Sequence, residues 1–131
     1  MIGLDTNVLV RYLTQDDPAQ SRRATRAIEE SVEGGEELFI ACVVMCELVW
    51  VLREAYDYRR GVVADVLEQV LRTAQLRFEN KDQLWLALHD YRRGKGDFAD
   101  YLVGRICAQF GCEKVLTFDR AIRDHPIFES L

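Results

Sequence analysis

The sequence predicts an α/β domain in three layers, in which a central parallel sheet of four or five short strands is covered by helices on both faces. Short apolar segments typical of strands alternate along the chain with longer segments of helical periodicity, and this alternation implies right-handed crossovers between parallel strands. The chain has 131 residues and no low-complexity linker, so residues 1–131 are expected to form a single domain.

Each predicted element has a local signal. The strands are the apolar segments "MIGLD", "ELFIAC", "QLRFE" and "KVLTF". A polar helix is expected between the first two strands, because Asp17 suits a helix cap, Pro18 the first helical position and Gly34-Gly35 the stop. The other helices are predicted at "TNVLVRYL" and at residues 43–58, 61–74, 80–93, 97–110 and 119–123. The remainder, with His125 and Pro126, is expected to be a polar tail.

Composition narrows the class of protein. The chain carries 22 acidic against 17 basic residues, a formal net charge of −5, so a polyanionic partner would have to meet a local basic patch. No segment approaches the roughly 20 apolar residues of a membrane span, and no targeting segment is expected. The four cysteines lack the spacing of a zinc site and are expected to stay reduced, which favours a cytoplasmic protein.

Acidic residues recur where predicted strands end and helices begin. Asp5 ends the first strand, Asp119 follows the fourth, and Asp97 and Asp100 open a helix after "GKG", on the same face of that helix. Glu47 is the one charged residue of the apolar stretch "ACVVMCELVWVL", which is expected to lie in the protein interior. Because sites in parallel sheets gather at the carboxyl ends of the strands, these five acids are expected to converge on one edge.

Structural roles compete with this interpretation. Asp5 and Asp119 are equally suited to cap the helices that follow them, and for Asp97 capping is the favoured alternative. Glu47 is not at a helix terminus; if it is buried, an ion pair with an arginine is its best structural explanation.

Taken together, however, the acids indicate a metal site. Several carboxylates at one edge repel one another unless a cation neutralises them, and oxygen-only ligands favour Mg²⁺ or Mn²⁺. Such ions can activate water for phosphodiester hydrolysis. Neither His89 nor His125 is assigned a role, and "GKGD" lacks the spacing of a phosphate-binding P-loop.

Four segments carry a resemblance to a known family. The start "IGLDTNVLVRYL", the acid in "ACVVMCELVWVL", and "DFAD" followed by "GCEKVLTFD" resemble the PIN-domain ribonucleases, and more narrowly the VapC-type toxins of toxin–antitoxin pairs, over essentially the whole chain. The resemblance implies a PIN-like fold and places an acidic quartet at Asp5, Glu47, Asp100 and Asp119. Asp97 would be an auxiliary metal ligand or a cap.

The same resemblance implies further properties. It implies a Mg²⁺- or Mn²⁺-dependent endoribonuclease that commonly forms a homodimer and is silenced by a cognate VapB-type antitoxin. Thr6, Asn7 and Thr117 would orient carboxylates or a bound water. The chain departs from the family pattern at Gly104 and Arg105, where relatives more often carry small apolar residues, and this leaves the packing of that helix open.

Basic residues near the acids are candidates for contacts with RNA. "YRRGKG" offers Arg92, Arg93 and Lys95 beside an aromatic ring, and Arg11 is a second candidate. A solvated charged loop explains the same residues equally well. The apolar helix that carries Trp50 could receive an antitoxin segment, and core packing explains it about as well.

Two other functions compete with the nuclease. A Mg²⁺-dependent phosphatase would use Asp5 as a nucleophile, but such enzymes usually carry a second Asp two residues later, where this chain has Asn7. A PIN-like binding module without catalytic activity is the third possibility, and the presence of all four acids argues against it.

Overall fold

The computed structural model describes all 131 residues, in six α-helices, one short 3-10 helix and five short strands. The elements in chain order are β1 Ile2–Gly3, α1 Thr6–Thr14, α2 Pro18–Glu33, β2 Leu38–Ile40, α3 Cys42–Glu54, α4 Arg60–Leu71, β3 Leu76–Phe78, α5 Lys81–Arg93, α6 Phe98–Gln109, β4 Val115–Thr117, the 3-10 helix Arg120–Ile122, and β5 Phe128–Ser130.

Every strand pairing is parallel, as the sequence predicts. The strands form two hydrogen-bonded groups, a three-stranded sheet in the order β1-β2-β3 and a two-stranded sheet of β4 and β5. β1 is only two residues long and pairs with β2 alone. β5 lies in the segment expected to be a polar tail, so that expectation is wrong.

Helix boundaries follow local chemistry. Asp17 caps α2 by accepting a hydrogen bond from the Gln20 backbone N–H at 3.0 Å, and Pro18 occupies the first turn, as predicted. Helix α3 ends at Glu54 rather than near residue 58, because Asp57 adopts a left-handed backbone with φ of 54°.

One core of 23 buried residues joins the helices to the strands. Helix α3 packs against α1, α4 and α6, and α5 packs against α4 and α6. This arrangement places α3 beside the helices that begin just after Asp5 and Asp97.

The departure at Gly104 and Arg105 has a structural explanation. A Cβ atom at Gly104 would lie 2.8 Å from the Phe128 ring, so glycine is what lets β5 pack onto α6. Arg105 makes a bidentate ion pair with the buried carboxylate of Asp90 on α5, both N–O distances being 2.7 Å. The two residues therefore tie α6 to its neighbours.

Candidate active site

Asp5 lies at the end of β1, where the chain turns into α1. Its side chain is exposed, and Oδ1 accepts a hydrogen bond from the Thr6 backbone N–H at 2.8 Å, so Asp5 caps α1 as the structural alternative predicted. The Thr6 hydroxyl is buried and has no hydrogen-bond partner. A buried polar atom without a partner is costly, so this hydroxyl is available to a ligand or water beside Asp5. The next residue, Asn7, is exposed.

Two carboxylates, those of Asp97 and Asp119, lie close to Asp100. Burial raises the pKa of the half-buried Asp100 carboxyl, and the negative charges of Asp97 and Asp119 raise it further. The carboxyl groups of Asp100 and Asp119 lie within hydrogen-bonding reach of each other. The structure thus brings together Asp97, Asp100 and Asp119 as a group of like charges.

Backbone contacts position Asp119. Its Oδ1 accepts from the Ala121 N–H at 2.8 Å, and its own N–H donates to the Thr117 hydroxyl at 3.0 Å. Asp119 therefore caps the 3-10 helix. Asp97 occupies the cap position of α6, but its side chain makes no capping hydrogen bond. Its carboxylate is therefore not used to satisfy the end of α6.

The structure corrects the expectation that Glu47 lies in the protein interior. Its side chain is exposed and forms no ion pair, so a buried pair with arginine is ruled out. Glu47 shares one face of α3 with Val43 and Trp50, whose exposed fractions are 62% and 65%. Burial and the nearby Glu47 charge raise the pKa of the Cys46 thiol to about 11.

These acidic residues fit a cation by their negative charge and by the oxygen donors they offer. No three His, Cys, Asp or Glu side chains stand in an arrangement that would enclose a metal ion. The carboxylates of Asp97, Asp100 and Asp119 nevertheless supply the oxygen donors that Mg²⁺ and Mn²⁺ prefer. Magnesium commonly keeps several waters, so an incomplete set of protein ligands is compatible with it.

The basic candidates differ in their surroundings. Arg92 lies 3.1 Å from Asp65 and 3.5 Å from Glu68 of α4, and Arg11 pairs with Asp16 at 3.3 Å. Arg93 and Lys95 are exposed and have no acidic partner within ion-pair distance. These last two are therefore the cations that remain available to an anion.

Two acids that the sequence analysis did not single out have structural roles. The Glu79 carboxylate follows β3 and accepts from the Cys42 backbone N–H at 2.8 Å, which caps α3 in the absence of a capping side chain at Ala41. Asp90 is 7% exposed and holds Arg105. The position of Glu79 directly after a strand was a usable signal, whereas nothing local marked Asp90.

Comparison with known proteins is consistent with this geometry. A family model described as "PIN domain" matches residues 2–127. The chain belongs to the PIN domain family. A protein named VapC ribonuclease in Aquifex aeolicus (strain VF5) is 28% identical to this PIN domain over 120 residues, 92% of this chain and 88% of that protein. No solved structure matches the chain. The resemblance to VapC-type PIN domains is confirmed.

Two further features of this PIN domain concern its cysteines and the apolarity of its helices. All four cysteines are free, as predicted. None of the helices combines the length and apolarity needed to cross a bilayer.

Proposed function

We propose that this PIN domain, spanning residues 1–131, is a divalent-metal-dependent endoribonuclease and the toxin of a type II toxin–antitoxin pair. The observation that supports it best is the proximity of Asp97 and Asp119 to Asp100, which raises the pKa of Asp100 and which a cation would compensate. The similarity to a VapC ribonuclease over most of both chains adds the substrate class.

In this proposal each acid has a role. Asp5 and Asp100 are the principal ligands of Mg²⁺ or Mn²⁺, and Glu47 and Asp119 complete the set directly or through water. Asp97 is an auxiliary ligand. The ion, when bound, would supply the positive charge that activates water and stabilises the leaving oxygen of the phosphodiester.

Neighbouring groups keep the acids in position. The Thr6 N–H holds Oδ1 of Asp5, and the Thr117 hydroxyl holds the backbone of Asp119. The Thr6 hydroxyl is free to bond a water at the end of β1, and Asn7 can orient substrate or water from its exposed position. Water attacks the phosphorus while the bond to the leaving ribose oxygen breaks; one of the acids accepts the proton that the attacking water releases, and solvent water protonates the leaving oxygen.

The proposed partners follow from the same assignment. An RNA is the substrate, a VapB-type antitoxin is the inhibitor, and both place the protein in the cytoplasm. The exposed face of α3 around Trp50 is available for an antitoxin segment or a second copy in a homodimer. A basic side chain of the antitoxin that reaches the acids would replace the cations and silence the site.

The test is cleavage of end-labelled total transfer RNA by protein freed of copurifying partner, with Mg²⁺ or Mn²⁺. An EDTA reaction and the Asp5→Asn variant run beside it. We expect discrete fragments that vanish in both controls. If no RNA is cut and calorimetry detects no divalent ion bound, the nuclease proposal fails and a non-catalytic module is the better description. A phosphatase is less well supported, because Asn7 stands where such enzymes usually carry a second Asp two residues after the nucleophile.

A further inference from the structure

A basic cavity lies beside the loop that carries "GKGD" into the candidate active site. Its volume is about 420 Å³, and it is enclosed by the end of α5, the α5–α6 loop, α6 and the segment after the 3-10 helix. Five basic side chains line it: His89, Arg93, Lys95, Arg105 and His125. The cavity thus borders both segments that carry clustered acids, the start of α6 and the chain after Asp119.

The acids of this cavity are fewer, and one of the two is neutralised. Asp90 is held by both the Arg105 guanidinium and, at 3.2 Å, Nε2 of His125. The pair with Asp90 uses Nε and Nη2 of Arg105, so Nη1 is not committed to it. Asp124 is the other acid of the lining. Arg93 and Lys95 therefore contribute positive charge that no ion pair cancels.

The loop that presents Lys95 is packed into place. A Cβ at Gly96 would lie 2.0 Å from the Ile122 side chain, and a Cβ at Gly94 would lie 1.9 Å from the Tyr101 hydroxyl. The Gly96 N–H donates to the Tyr101 hydroxyl at 2.9 Å, and the Gly94 carbonyl accepts from Arg60 at 3.2 Å. Only glycines allow this close approach, so the loop fixes Lys95 at the cavity.

Seven of the 17 lysines and arginines of this acidic protein form ion pairs, and Arg93 and Lys95 are among those that do not. Arg26, Arg77 and Lys114 each lie within 3.0 Å of a glutamate oxygen. A polyanion that binds to both the cavity and the carboxylate cluster needs unpaired positive charge beside the carboxylates. Arg93 and Lys95 supply that charge.

We propose that this cavity binds a non-scissile phosphate of the RNA, adjacent to the phosphodiester that the acids act on. This inference rests on the proposed function, because it assumes that RNA is the substrate. Arg93 and Lys95 contact the phosphate oxygens, and Nη1 of Arg105, which the pair with Asp90 leaves free, donates to the same anion. The site positions the strand and carries no chemistry of its own.

The test measures binding rather than cleavage. Asp100→Asn protein is titrated into a fluorescein-labelled single-stranded RNA in Mg²⁺, alone and with Arg93→Gln and Lys95→Gln added together. We expect the pair of changes to weaken binding about tenfold at low salt and to flatten the slope of log affinity against log salt by about 0.7 for each charge removed. Lys95→Arg, which keeps the charge, should restore most of the loss due to Lys95→Gln.

A matched control separates this site from general electrostatics. Arg22→Gln removes an exposed, unpaired arginine from α2, outside the cavity, and should leave the affinity within about twofold. Equal losses from Arg22→Gln and from the cavity changes would overturn the inference while leaving the nuclease proposal intact. RNA that neither binds nor is cut by the unmodified protein would remove the proposed function itself.

Discussion

Asp100 is the residue where the electrostatic cost of the candidate site is concentrated. It is half-buried, and Asp97 and Asp119 add negative charge beside it, so its ionised form is disfavoured in the folded protein. A divalent cation would reverse that preference. The same carboxylate that opposes folding in the metal-free protein is thus the one best suited to hold an ion.

Because the ionised form of Asp100 is disfavoured in the folded protein, we expect Asp100→Asn to stabilise the metal-free protein. The folded-state pKa of Asp100 is raised, so the penalty is absent below the unfolded value of about 3.9 and grows as pH rises through the folded value. We expect the variant to have a higher Tm than the parent at pH 7 and no gain at pH 3, where the carboxyl is protonated in both states. Thermal melts in EDTA measure it.

The control for that experiment is Asp57→Asn. Asp57 is exposed, and asparagine tolerates its left-handed backbone, so its Tm should not move. An Asp100→Asn variant that is less stable than the parent at pH 7 would contradict the picture of mutual repulsion.

Replacing Glu47 tests a second of the proposed metal ligands. We expect Glu47→Gln to lower RNA cleavage by about 10- to 100-fold, the usual effect of losing a group that supports a metal site. Circular dichroism and Tm should be unchanged, because the side chain is exposed and unpaired. Glu54→Gln, an exposed acid further along α3, is the matched control. Equal activity of the two variants would remove Glu47 from the site.

The expectation that Glu47 is buried was wrong because the apolar sequence around it hides an exposed helix face. Its neighbours Met45 and Leu48 are fully buried, and the run as a whole reads as interior. A helix turns about 100° per residue, so Val43, Glu47 and Trp50 share an exposed face within that run. Two large apolar side chains on the exposed face masked the helical periodicity that would have placed Glu47 outside.

The loop between α5 and α6 fixes the position at which α6 starts, and with it the position of the acidic residues there. From the sequence, "GKG" predicts a loop and nothing more. The structure shows that Tyr101 and Ile122 occupy the space that side chains at Gly94 and Gly96 would need. Such contacts join residues of α6 and the 3-10 helix, so no local pattern could reveal them.

Gly96→Ala is therefore expected to destabilise the protein by about 1–3 kcal/mol, the typical cost of overpacking. Its Cβ would lie 2.0 Å from Ile122, and one of the two must move. Gly61→Ala is the opposite case, because no atom lies within 4 Å and the position is in α4. It should be neutral or stabilising by up to about 1 kcal/mol. Urea unfolding of both variants distinguishes packing from backbone entropy, and a Gly96→Ala variant as stable as the parent would contradict the tight-loop description.

At the scale of the molecule, the segment after the 3-10 helix completes the fold that the first three strands begin. β5 pairs with β4, Phe128 enters the core, and His125 reaches the buried Asp90. The strand that precedes Asp119 is thereby held on one side by β5. We conclude that the placement of Asp119 depends on residues that contribute no acid to the site.

Two phenylalanines test this dependence. Phe128 is 8% exposed and Phe118 is 82% exposed. Phe128→Ala should cost about 3 kcal/mol in unfolding free energy, whereas Phe118→Ala should change it by less than about 0.5 kcal/mol. Chemical denaturation measures both values. Similar costs for the two changes would mean that β5 is not part of the cooperative fold.

The alternation of strands and helices was sufficient to predict the parallel pairing and to place acids where strands end. It did not predict β5, because "FES" is short and follows polar residues, or the division of the strands into two groups, because pairing depends on distant partners. The ion pair between Asp90 and Arg105 was missed for the same reason. Of the site, Asp97 and Asp119 lie close enough to Asp100 to raise its pKa, and the roles of all five acids remain proposals.

The parallel pairing also bears on the order of events during folding. Ile2 pairs with Leu38 and Leu38 with Leu76, so each pairing closes a long stretch of chain, whereas the helices between them form from local contacts. Long-range pairings of this kind are slow compared with helix formation. A chain caught between these stages would have its helices but not yet its assembled strand ends, so the proposed metal site would form only once the strands had joined.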